Sequence, residues 1–202
     1  MTSLATVQAL YGSTDFAVFP LAPNAKVPLK GSHGFQDAKH AWDWSDWPDD
    51  ANVGVATGMR SGGLVVIDLD GSVGVQNWTR LLQTLKCRIK TKTTYTPHGY
   101  HLYFTAPVPF GSNAGVLAKK IDVRAEGGYV VGAGSIVNRS PYTMNDLLPE
   151  RLPPVIGARL KMAEPNLEVG APRRDELDGG DLLANIEIVR DENGRPRARL
   201  KG

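Results

Sequence analysis

The stretch GGLVVIDLDGSVG, residues 62–74, constrains this chain more than any other. Leu64, Val65, Val66 and Ile67 form an unbroken apolar run, the pattern of a strand buried in a sheet. Asp68 and Asp70 follow, with Leu69 between them. Strand side chains alternate faces with period two, so both carboxylates point the same way and Leu69 points back. Carboxylates side by side repel, and each is costly to desolvate. A cation between them relieves both problems, and an oxygen-only ligand set suits Mg²⁺ or Mn²⁺. The plainer alternative is a strand ending in an Asp70-Gly71 turn. It explains Asp70 and leaves Asp68 without a reason.

Two later stretches repeat the theme of polar residues set on apolar strands. In TPHGYHLYF, residues 96–104, His101 and Tyr103 share one face while Leu102 and Phe104 share the other. In KKIDVRAEGGYVV, residues 119–131, Asp122 and Arg124 stand two apart and so face the same way. A third carboxylate turns a cation perch into a candidate two-metal site, the kind that clamps the attacking and leaving oxygens of a phosphoryl transfer. A histidine and an arginine beside it supply hydrogen bonds and charge to a polyphosphate. Singly, each residue has a plain structural reading. His101 is a packed strand histidine, Asp122 with Arg124 is a surface ion pair of little worth, and Lys26 and Lys30 are solvated loop charges. Their conjunction, in this order between apolar strands, favours function.

The rest of the chain supplies a frame for these strands. A short helix is expected over residues 3–12, a strand in DFAVFPLAP, a turn or short helix packing its rings in WDWSDWPDD, and a short strand in NVGVATG. Ser72 is placed to cap a helix over about residues 73–86. Strands are expected in CRIKTKTTYT and GYHLYFTAP, and a hairpin around Gly127-Gly128. From Ala163 the texture becomes polar and rich in glycine, proline and charge. This divides the chain into a catalytic domain over residues 1–162 and, over 163–202, a polar linker with a weakly ordered hairpin or tail turning at Glu192-Asn193-Gly194.

Composition bounds the function classes. Among 202 residues, 42% are hydrophobic and 22% charged, the balance of a soluble globular protein. The formal charge of +2 is too small to name a nucleic-acid partner by itself. One cysteine, Cys87, excludes an internal disulfide framework and a cysteine-rich zinc module. It fits a cytoplasmic location. No apolar run reaches membrane-spanning length and no signal peptide is evident, so no membrane partner is expected.

The order VVIDLDG, TPHGYHLYF, IDVRAEGGYVVGAGS resembles the primase–polymerase (prim-pol) domain of the archaeo-eukaryotic primase superfamily, found in replication proteins of plasmids, phages and integrated elements. FAVFPLAPNAKVP resembles that family's N-terminal strand with its K-x-P loop, and NVGVATG the turn before the acidic strand. The resemblance spans about residues 5–145. It implies an α/β (α+β) fold in which an N-terminal α/β unit faces an RNA-recognition-like catalytic sheet, with the active site in the cleft. It implies that Asp68, Asp70 and Asp122 bind Mg²⁺ or Mn²⁺ and that His101 contacts the incoming nucleotide's phosphates. Arg124, Lys26 and Ser135 are implied as nucleotide or phosphate contacts, and Asn52, Thr57 and Gly58 as pocket lining. The implied activity is a DNA-dependent nucleotidyltransferase that makes or extends primers on single-stranded DNA from NTP or dNTP; a separate replicative helicase is a candidate partner. Two departures are visible: PHGYH stands where the family often has SGGxH, and GAGS where it has PPS.

Two rivals compete. A tyrosine nickase needs two histidines on one strand face, but His98 and His101 are three apart and face opposite ways. A non-catalytic module of primase-like fold would bind nucleotide or single-stranded DNA, stacking bases on aromatics such as Tyr100, Tyr103 and Trp47.

Overall fold

The apolar run at 64–67 becomes the middle of the larger of two main sheets. The computed structural model describes residues 3–162 and the backbone of two further strands, Ile186–Arg190 and Pro196–Leu200. In chain order the first part contains α1 (Leu4–Tyr11), β1 (Val18–Leu21), β2 (Asn52–Ala56), β3 (Leu64–Asp70) and α2 (Gly71–Leu85). Then come β4 (Thr93–Thr96), β5 (Gly99–Thr105), β6 (Asn113–Ala118), β7 (Ile121–Arg124) and β8 (Tyr129–Val131). Short pieces follow: β9 (Ile136–Val137), β10 (Ser140–Pro141), β11 (Thr143–Met144), β12 (Glu150–Arg151) and α3 (Pro154–Gly157). The large sheet has the order β11-β4-β5-β3-β7-β6, with β12 parallel to the end of β5. The small sheet is β1-β2-β8, antiparallel throughout. Antiparallel sheets with few helices make this an α+β domain.

Strand β3 is buried on both faces, which is why its first residues are all apolar. Val65, Ile67 and Leu69 pack with Trp78 of α2 and with Leu102, Phe104, Ile121 and Val123 of the flanking strands. Leu64 and Val66 pack on the other side with Val53 and Val55 of β2, Val7 and Tyr11 of α1, and Tyr103. Each such fully buried side chain contributes about 1.5–3 kcal/mol. Asp68 and Asp70 continue the Leu64/Val66 face, and side-chain exposure rises along it to 27% and then 54%. The small sheet therefore covers the start of this face and leaves its end open. Pro20 is tolerated in β1 because that strand pairs only with β2 in the sheet. The tryptophan-rich turn packs as expected: Trp47 is buried among Val53, Val55 and Leu64, with Trp42 edge-on to it at 5.0 Å.

Three local expectations are corrected. Helix α2 starts at Gly71, with Asp70 rather than Ser72 at the cap position and no side-chain cap bond. Gly71 has φ +68°, so the Asp-Gly turn and the acidic strand coexist. The strand expected over 87–96 is only Thr93–Thr96. Strand β12 takes the place beside Phe104 and Thr105, and the Thr91 hydroxyl caps the Tyr103 carbonyl, so the ladder cannot extend. The Gly127-Gly128 stretch is a crossing between sheets rather than a hairpin, since β7 pairs with β3 and β6 while β8 pairs with β2. The Thr57 amide holds the Gly128 carbonyl at 3.0 Å.

The chain divides into two units, Met1–Glu164 and Pro165–Gly202. In the second, the two described strands pair antiparallel, Ile186 opposite Leu200. The linker and turn expected there lie outside the described residues. Among the described residues no helix is long and apolar enough to cross a membrane.

Gly99 tests how tightly β5 is seated on β3. A Cβ at this position would run into the Leu69 carbonyl. Gly99→Ala is expected to lower stability by about 1–3 kcal/mol, seen as a lower urea midpoint at unchanged m-value. A wild-type midpoint would show that this end of β5 can slide.

Candidate active site

The three polar strands meet in a single row. Asp68 is the direct cross-strand partner of His101 on β5 and of Asp122 on β7. Directly opposed residues point to the same face, so the histidine and two of the carboxylates stand side by side. Asp70 lies two residues further on the same face, and Arg124 lies one row back, opposite Val66. Lys26, from the loop after β1, joins them. Together with His98 and Tyr142 these six line a cleft of about 280 Å³.

Each carboxylate has a different neighbourhood. Asp122 accepts from Arg124 Nη2 at 3.0 Å and from the Gly115 amide at 3.2 Å. That amide is available because β6 is irregular between Ala114 and Ala118, with Gly115 at φ +65°. Asp70 accepts from Lys120 Nζ at 2.5 Å. Among the described residues Asp68 has no lysine or arginine ion pair and no hydrogen-bond donor; His101 Nε2 stands 3.7 Å from its Oδ1.

The electrostatics follow from these neighbourhoods. Burial raises the Asp68 carboxyl to about 6; Arg124 and Lys26 oppose the rise, while Asp122 and Asp70 add to it. The hydrogen bond from Lys120 holds Asp70 below the usual carboxylate range. Burial, with Lys26 and Arg124 adding to it, lowers His101 to about 4. The nearby Val131 backbone pulls the other way, though among the described residues no group makes a well-formed hydrogen bond to the buried His101 Nδ1. At neutral pH His101 is therefore a neutral hydrogen-bonding group rather than a cation.

The other residues singled out in the sequence do not reach the cleft wall. Asn52 donates to the Ala25 and Ile136 carbonyls, both at 2.9 Å, and accepts from the Ile136 amide. Ser135 is fully buried, and its hydroxyl accepts from the Val53 amide at 2.9 Å. Thr57 donates to the Ala125 carbonyl at 2.5 Å. Gly58, at φ +77°, turns the chain against Glu126. These four hold the frame: Asn52 ties down the loop that carries Lys26, and Thr57 ties down the end of β7. Of the aromatics considered for base stacking, Tyr103 and Trp47 are buried at 0% and 3% exposure, and only Tyr100 is open.

The sequence pattern does not assign Lys120 or Tyr142 to the site, and His98 enters it only as a partner of His101 in a nickase. Lys120 had a signal, because Lys120, Asp122 and Arg124 alternate on one face of β7 and its lead-in. His98 sits in the turn between β4 and β5, and Tyr142 comes from a distant segment; neither carried a local pattern.

Residues 8–155 match the family described as bifunctional DNA primase/polymerase, N-terminal. The chain belongs to that family. No curated protein matches the chain. The family couples this Prim-Pol domain to divalent metals, and the donor set here fits them in kind: three carboxylates, all oxygen, on adjacent strands. Among the described residues no three such groups are placed to enclose an ion as they stand. Asp70 and Asp122 are turned to Lys120 and Arg124 instead.

Asp68 makes stability depend on pH. Its folded pKa lies above the ordinary carboxylate value, so the folded protein favours the protonated form. That contribution is present at low pH and is lost as pH rises through about 6. Asp68→Asn removes the loss. In metal-free buffer the variant is expected to gain about 2 kcal/mol on wild type between pH 4 and 7, measured by urea unfolding at each pH. A difference that stays flat would mean that Asp68 ionises at its ordinary pH.

Proposed function

We propose that this Prim-Pol domain is a DNA-dependent nucleotidyltransferase that makes or extends primers in the replication of a phage, plasmid or integrated element. The observation that carries this reading is the row His101–Asp68–Asp122, with Asp70 on the same face and Lys26 and Arg124 beside it. In this reading the small sheet with its Lys26 loop is the N-terminal unit, and the large sheet is the catalytic, RNA-recognition-like one. Template is single-stranded DNA and the incoming substrate is an NTP or dNTP. The reaction joins a 3′-hydroxyl to the α-phosphate and releases pyrophosphate.

Asp68, Asp70 and Asp122 would hold Mg²⁺ or Mn²⁺, which when bound stabilises charge on the attacking and leaving oxygens. Lys26 and Arg124 meet the triphosphate with fixed positive charge. His101, neutral and beside Asp68, donates a hydrogen bond to a phosphate oxygen without adding charge. When the triphosphate arrives, Arg124 turns from Asp122 to it, which releases a carboxylate oxygen for the ion. Asn52, Thr57, Gly58 and Ser135 serve by holding the loops in place. A separate helicase would supply strand opening.

A second reading has its own support. The ion pairs Lys120–Asp70 and Arg124–Asp122 already balance two of the three carboxylates. A non-catalytic module binding nucleotide or single-stranded DNA would be stable with those pairs intact.

Incorporation of labelled nucleotides on single-stranded DNA, with and without an annealed primer, in Mg²⁺ or Mn²⁺, separates the two. Wild type is expected to extend. Asp68→Ala/Asp70→Ala is expected to fall by about a hundredfold or more while keeping its fold by circular dichroism. Absence of product from wild-type protein that still binds DNA would establish the binding module.

A further inference from the structure

Tyr95 and Tyr100 are direct cross-strand partners on β4 and β5. Their rings meet edge to face with centroids 5.8 Å apart. Both remain open to solvent, at 45% and 36% exposure. Their parity is opposite to that of Thr94 and His101, so they lie on the α2 face of the sheet, beside Leu69. There they form one wall of a groove of about 570 Å³ whose other wall includes Ser72 and Gln76 of α2.

Three features identify what this groove suits. Its wall is aromatic on one side and carries neutral hydrogen-bonding groups, Ser72 and Gln76, on the other. Among the described residues no carboxylate lines it, in contrast to the cleft, so no fixed negative charge there opposes a phosphodiester. It is also continuous with the cleft: Thr96, Pro97 and His98 line both. A strand leaving the catalytic row need cross only this one turn to reach the tyrosines. Proteins hold single-stranded nucleic acid without reading its sequence by stacking bases on exposed aromatics next to a positively charged groove for the backbone, because every base has a face to stack. Here the aromatics line the groove, and the positive charge, Lys26 and Arg124, lies in the adjoining cleft.

We propose that the Tyr95–Tyr100 groove holds unpaired bases of the single-stranded DNA template as it passes around the Thr96–Gly99 turn to the cleft. This rests on the nucleotidyltransferase reading and adds the path of the template to it. The bases stack on Tyr100 and Tyr95, and the backbone runs past His98. Affinity gained here is independent of sequence.

The test is binding of fluorescein-labelled oligo(dT) and oligo(dA) by anisotropy, alongside primer extension. Tyr95→Ala/Tyr100→Ala is expected to raise Kd about tenfold or more on both oligonucleotides and to lower the urea midpoint only slightly, through loss of the cross-strand ring contact, with the folded state kept by circular dichroism. Tyr95→Phe/Tyr100→Phe keeps the rings and is expected to stay within about twofold of wild type. A 5-iodouracil-substituted strand is expected to crosslink to Tyr100 or Tyr95 on irradiation, located by peptide mass spectrometry. Three results would overturn the proposal: alanine variants that bind as wild type does, phenylalanine variants as weak as the alanine ones, or crosslinks confined to other elements. If wild type extends primers while the alanine variants bind and extend equally well, only the template path is wrong. If wild type neither binds the oligonucleotides nor incorporates nucleotide, the enzymatic reading falls and this one with it.

Discussion

The site depends on the register of β3 between β5 and β7. Asp68 opposes His101 on one side and Asp122 on the other, and the same alignment sets Ile67 against Leu102 and Val123. A slip of one residue would send Asp68 into the α2 core and bring Leu69 to the cleft. That error would bury a carboxylate among Trp78, Leu102 and Ile121, an environment several kcal/mol more costly to it than water. The hydrophobic pattern of Leu64–Ile67, with both faces covered, therefore fixes the geometry of the polar row. Stability and site geometry come from one set of contacts.

The same register concentrates negative charge, and the chain answers it locally. Lys120 and Arg124 are placed by the alternation of β7 and its lead-in to meet Asp70 and Asp122. Asp68, central in the row, has no such partner, and its carboxyl rises to about 6. An exposed pair such as Lys120–Asp70 adds little to stability, so its lysine can be displaced at small cost. The arrangement suits carboxylates that must exchange one cation for another. A network of fully buried ion pairs would resist that exchange, because separating buried charges is far more costly.

What could be read in the sequence was whatever rests on period-two alternation. Asp68 with Asp70, Asp122 with Arg124, and His101 with Tyr103 all follow from strand parity, and the structure aligns the three strands that carry them. Lys120 obeys the same rule and was legible too. Asn52, Thr57 and Ser135 were not, because their partners are backbone groups 27 to 84 residues away and no local pattern encodes such a distance. The Gly127-Gly128 turn misled for a related reason. Two glycines permit a sharp change of direction, but whether the next strand returns to its own sheet or joins another is decided by tertiary pairing. Here the vacant edge of β2 receives β8.

Parity also explains why one hairpin can present two different chemistries. Thr94 and His101 face the small sheet, while Tyr95 and Tyr100 face α2. The His101 side helps build a charged cleft, and the exposed tyrosine side borders a groove that no carboxylate lines among the described residues. The Thr96–Gly99 turn is the edge the two share, since Thr96, Pro97 and His98 line both. Gly99 makes that edge thin: its missing side chain lets β5 lie against the Leu69 carbonyl at the point where α2 begins. Under the proposed template path the first face meets phosphates and the second stacks bases, and the strand passes from one to the other around that shared turn.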